Sequence, residues 1–111
     1  MMNEEIYFNI ISDYFVRIEN KLPISDLFTN DANIYSHKFQ KLTLDEYQNK
    51  LENQNTISIQ TNILKITYVD DVVIIYLEFS FDNSIKRKYV DVFQFNDHKI
   101  ANLYLNRLAT K

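Results

Sequence analysis

The sequence predicts an α+β fold: N-terminal helices packed on a curved, mostly antiparallel sheet that encloses an apolar pocket. Two observations predict it. The first part of the chain carries apolar residues at helical spacing, and from Ile57 onward the period changes to long runs of Ile, Val, Tyr and Phe. Those runs are broken at Asp70-Asp71, Asp82-Asn83-Ser84 and Asn96-Asp97-His98, three tight connections that imply four consecutive antiparallel strands.

Asn3 suits a helix N-cap, and Glu4 and Glu5 in the first turn favour the positive end of the dipole. Ile6, Tyr7, Ile10, Ile11, Tyr14, Phe15 and Ile18 recur on one face, while Asp13 and Arg17 form an i,i+4 pair on the wet side. This helix should end near Asn20, ahead of Pro23. A short second helix fits Ser25 to Thr29, and a brief strand fits residues 31–36. Thr43 and Glu46 make a capping box that opens a third helix through Tyr47 and Leu51. The four long strands then fall near 57–68, 72–81, 86–96 and 99–108.

Strand alternation assigns faces. Ile75, Leu77, Phe79 and Phe81 share one face with Tyr89, Asp91, Phe93 and Phe95, and with Ala101, Leu103 and Leu105. That face should meet the first helix, and its one acid is Asp91. The other face carries Tyr76, Val90, Val92 and Tyr104 among Gln94, Asn102 and Asn106, a mixed apolar patch that suggests a partner.

Composition bounds the function. A chain of 111 residues reads as one domain, spanning 1–111, and its 46% hydrophobic content supplies a real core. A net charge of -3 with scattered Lys and Arg makes no electrostatic case for nucleic acid or an anionic membrane, and the Lys86-Arg87-Lys88 run is too small for a nucleic-acid footprint. Without cysteine there are no disulfides or thiolate metal sites. His37 and His98 lie in different loops, so no metal or other cofactor is expected. Without glycine there is no nucleophile elbow, phosphate loop or dinucleotide fingerprint, and turns must use Asn, Asp or Ser. No apolar stretch reaches membrane-spanning length, and the acidic N-terminus lacks signal-peptide features, so a cytoplasmic protein is the default.

The order of these elements, with DLFTNDANIYS at 26–36 and YVDVFQFNDHKIANLYL at 89–105, resembles the nuclear transport factor 2-like superfamily. The likeness includes its SnoaL-like and ketosteroid-isomerase-like branches and covers residues 4 to 108. It implies a cone-shaped fold and a homodimer paired through the outer sheet face (Tyr76, Val90, Val92, Tyr104). In the isomerase branch an acid and a tyrosine form an oxyanion hole; the acid maps to Asp91, and the tyrosine to Tyr14 with a two-residue gap in the 19–25 connection. That enzyme is also a standard example of a carboxylic acid held neutral in an apolar site. The branch's general-base aspartate maps to Ser36, which cannot serve as that base.

A small-molecule site follows as the expectation. Its walls would be Ile75, Leu77, Phe79, Phe81, Tyr89, Phe93, Leu103 and Leu105, with Ser36 at the mouth and Asp91 and Tyr14 as polar anchors. A protonated Asp91 beside the Tyr14 hydroxyl would donate to a carbonyl or enolate oxygen, which suits isomerase or lyase chemistry on an apolar carbonyl compound. His37, next to Ser36, is a substitute base if it faces the pocket rather than solvent. The alternatives are a structural Asp91 paired with Tyr14, Arg107 or Lys86, an ordinary core Tyr14, and a non-catalytic interaction module whose aromatics fill the cone.

Overall fold

The computed structural model describes residues 3–36, 40–53, 58–82 and 85–108. The apolar stripe of the first helix, α1 (Asn3–Asn20), buries Tyr7, Ile11, Tyr14, Phe15 and Ile18. Beyond it Arg17 bonds both Asp13 and Asp26, tying the helix to the turn that follows Pro23.

That turn corrects the predicted second helix. Only Ser25–Leu27 is helical, as a single 3-10 turn, and Phe28 is already extended. Strand β1 (Phe28–Tyr35) therefore starts ahead of residue 31. Phe28 is 2% exposed and pairs with Ile100, so burial of its ring outweighs continuation of the helix. Strand β2 (Lys41–Thr43) was not anticipated; three residues with one buried leucine carry too little pattern to read.

Helix α2 (Leu44–Glu52) opens on the capping box. Thr43 Oγ1 accepts from the Glu46 amide at 3.2 Å, and the Thr43 amide donates to Glu46 Oε1 at 2.8 Å. The meander follows: β3 (Ile59–Val69), β4 (Val72–Phe81), β5 (Ile85–Asn96) and β6 (Lys99–Arg107). The sheet order is β2-β1-β6-β5-β4-β3, antiparallel except for the β1–β6 pair. The sheet is curled without closing, and both helices are part of the α+β architecture.

Lacking glycine, the chain sets Lys21, Asp70, Asp82, Asp97 and His98 at positive φ. Asp97 and His98 adjoin in the two-residue β5–β6 connection, where a type I′ turn requires that conformation at both positions. Lysine and histidine thus share the task expected of Asn, Asp and Ser.

One face assignment is wrong. Gln94 pairs with Asn102 and Phe95 with Ile100, so Ala101 is an extra residue in the ladder. The bulge gives Ile100 the core position expected for Ala101, leaving Ile100 fully buried and Ala101 half-buried.

Candidate functional site

The inner face of the sheet divides into a filled end and an open end. On β4 the filled part is Val73, Ile75 and Leu77; on β5 it is Phe95 and Phe93; on β6 it is Ile100 and Leu103. Helix α1 closes it with aromatic contacts: Tyr7 stacks on Phe95 at 4.1 Å, and Tyr14 meets Phe93 edge-on at 5.4 Å. Ile75, Leu77, Phe93 and Leu103, expected as pocket walls, are instead 0% exposed in this core. Interdigitation with the helix stripe fills the space they would have lined.

One alternation further along each strand the packing opens into a cavity of about 230 Å³. Phe79 and Phe81 of β4, Tyr89 and Asp91 of β5, and Leu105 of β6 line its sheet side. Tyr14 and Ile18 of α1, Tyr47 and Leu51 of α2, Ile59 of β3 and Ser36 complete the wall. Of the expected ligand contacts, the structure thus brings together Asp91, Tyr14, Ser36, Phe79, Phe81, Tyr89 and Leu105. His37 lies outside the described residues.

Asp91 is 1% exposed, and its Oδ1 has no hydrogen-bond partner among the described residues. Among the described residues it pairs with none of Tyr14, Arg107 and Lys86; cross-strand it faces Ile75 and Leu105. Burial pushes its carboxyl well above the usual carboxylate range. Tyr14 instead bonds the Tyr47 hydroxyl at 2.6 Å, joining α1 to α2. Tyr47 went unread as a site residue, although the capping box places it on α2 one turn before Leu51. Burial raises the phenols of both tyrosines; Tyr47 and Asp91 add to the rise at Tyr14, and at Tyr47 the bond from Tyr14 opposes it while Asp91 adds. The Tyr89 phenol is raised by burial, lowered by Arg87 and raised by Asp91. Among the described residues every polar side chain on the wall ends in oxygen, and Asp91 is the only carboxyl.

A larger depression of about 480 Å³ lies between the 3-10 turn, β1 and the start of α2. Its charged residues, Asp26, Asp31, Asp45 and Lys99, are exposed and keep their hydration, so none is desolvated as Asp91 is in the smaller cavity. Among the described residues no group of His, Cys, Asp and Glu could hold a metal ion, and no helix is long and apolar enough to cross a membrane.

No family model matches the sequence, and no curated protein matches it. Solved structures match closely in shape. A nuclear transport factor 2-like protein of unknown function from Burkholderia xenovorans superposes with a TM-score of 0.84 at 11% identity, covering 100% of this chain and 89% of that one. An LEH-like epoxide hydrolase of M. tuberculosis gives 0.80 at 10% identity, covering 94% and 84%. A protein with a ketosteroid isomerase-like fold from Catenulispora acidiphila, in complex with trimethylamine, gives 0.75 at 11% identity, covering 86% and 82%. At these identities the likeness is one of fold: this chain has the nuclear transport factor 2-like fold.

Proposed function

We propose that this protein binds a small, mostly apolar carbonyl compound in the cavity between α1, α2 and the sheet. The observation that carries the reading is the buried carboxyl of Asp91, whose Oδ1 has no hydrogen-bond partner among the described residues, on an otherwise largely apolar wall. Burial favours the protonated form of this group, and a protonated carboxyl donates a hydrogen bond to an acceptor oxygen. In the Tyr14–Tyr47 bond one phenol donates and the other accepts, so the accepting phenol keeps its own proton to donate. A ligand carbonyl directed at these groups satisfies Asp91, while its apolar body lies against Phe79, Tyr89 and Leu105. The fold likeness supports a small-molecule site, since one similar structure is an epoxide hydrolase and another holds trimethylamine.

The same arrangement would stabilise an enolate, the intermediate of isomerase or lyase steps, if a base reached the α-carbon. Ser36 lines the cavity without being able to act as that base. His37 is the nearest base in sequence.

Calorimetry with acetophenone tests the binding. Asp91→Leu removes the donor at similar volume and is expected to weaken acetophenone about tenfold, the usual scale of a charge-free buried hydrogen bond left unmade. Equal affinity for the wild type and Asp91→Leu would defeat the reading. Deuterium exchange at the acetophenone methyl, followed by NMR, reports whether binding proceeds to enolisation.

We also infer that the outer sheet face meets a second copy of the chain. The ladder aligns Ile74, Val92 and Tyr104 in one row, and Tyr35 stacks on Tyr104 at 4.8 Å. Beside it Tyr76 and Val90 form a second apolar step, flanked by Glu78 next to Lys88. That strip carries both charge signs at its margin, which suits self-association.

A further inference from the structure

The short basic run Lys86-Arg87-Lys88 is absorbed by neither the core nor the cavity wall. Along β5, alternation sends Lys86 and Lys88 to the outer face and Arg87 to the inner one, in line with Tyr89 and Asp91. In the ladder Arg87 lies opposite Phe79, and Arg107 of β6 lies opposite Tyr89. Phe79 and Tyr89 are cavity walls. Register therefore puts Arg87 and Arg107 on the inner face, each paired with a cavity wall and away from the filled end.

Neither has a carboxylate partner among the described residues, where the ion pairs belong to Arg17. Arg87 nevertheless acts on the pocket, since it lowers the Tyr89 phenol against the effect of burial. Like charges on adjoining strands repel, and among the described residues no ion pair offsets that repulsion. An anion seated between them would. The planar forks of arginine match a carboxylate in particular.

Size adds a second constraint. Scaled from a cavity of ~150 Å³ that accepts benzene, about 230 Å³ accommodates roughly nine or ten non-hydrogen atoms, a single ring with a short side chain. The filled end, with Phe93 and Leu103 at 0% exposure, blocks anything deeper.

We propose that the ligand is a carboxylate: a single-ring or equally short carbonyl body fills the cavity toward Asp91, and the carboxylate rests outside on Arg87 and Arg107. The orientation of the body rests on the carbonyl reading above; the arginine rim does not. The ligand class is thus a small keto-acid amphiphile, its body too small to be a fused three- or four-ring compound.

Calorimetry at low salt compares acetophenone with para-acetylbenzoate, the same body with a carboxylate at the far end. The wild type is expected to bind para-acetylbenzoate about tenfold more tightly, and ~0.5 M salt is expected to shrink the gain by screening the half-buried Arg87 and the exposed Arg107. The double variant Arg87→Gln, Arg107→Gln is expected to lose the gain while binding acetophenone as the wild type does. A carboxylate that adds nothing, or a gain that survives in the double variant, overturns the inference. Acetophenone failing where para-acetylbenzoate binds through the arginines would leave the rim standing and defeat the carbonyl reading. Failure of both ligands defeats both.

Discussion

Asp91 enters the folded state without a hydrogen-bond partner for Oδ1, and the phenols facing it from α1, α2 and β5 (Tyr14, Tyr47 and Tyr89) are all raised and so stay neutral through the acid and neutral range. Folding therefore binds a proton more tightly at this site than the unfolded chain does. The stability linked to that proton is full below the ordinary carboxylate value of about 3.9 and is lost as pH rises through the raised folded value. Asp91→Asn removes the loss. Thermal melts across that range are expected to show the variant gaining on the wild type as pH rises, by ~1–3 kcal/mol where the carboxyl would ionise. A wild-type slope no steeper than the variant's would contradict the buried proton. The acid itself was legible from alternation, because one charged residue in an apolar row stands out. Its lack of a partner was not, since Tyr14 had two oxygens within reach of α1 and the choice of Tyr47 depended on where α2 docks.

Elements were legible where their pattern ran long. Strand β4 falls where alternation set it, and α2 begins at its capping box. Short or irregular pieces were not: Phe28 turned from helix to strand because of a partner on β6, far away in sequence. The bulge at Ala101 likewise shows only in the pairing, since Ile100 and Ala101 are both apolar and neither betrays the extra residue. Turns in a chain without glycine carry a measurable strain. His98 sits at φ 64°, a conformation that disfavours a Cβ. His98→Gly is expected to stabilise the β5–β6 hairpin by ~0.5–1 kcal/mol after the greater freedom of unfolded glycine is subtracted, read as a higher denaturation midpoint.

At the scale of the whole molecule, the outer strip around Val92 is expected to bring two chains together. Sedimentation at micromolar concentration should give twice the 13.3 kDa chain mass, and Val92→Lys should return it to one. A wild type that sediments as a single chain would end the pairing proposal. Sequence order was enough to identify the fold, because helix stripe and meander each admit few arrangements. It could not say how far the helix stripe would fill the cone, which is a question of volume. The answer, a solid inner end and an open outer one, separates two demands on the same scaffold. Truncating Phe93 costs ~3–5 kcal/mol, whereas Phe79, Phe81, Tyr89 and Leu105 are only half-buried and can be exchanged more cheaply. The lining of the cavity can therefore drift over evolutionary time, or be re-engineered, while the part that keeps the molecule folded stays untouched.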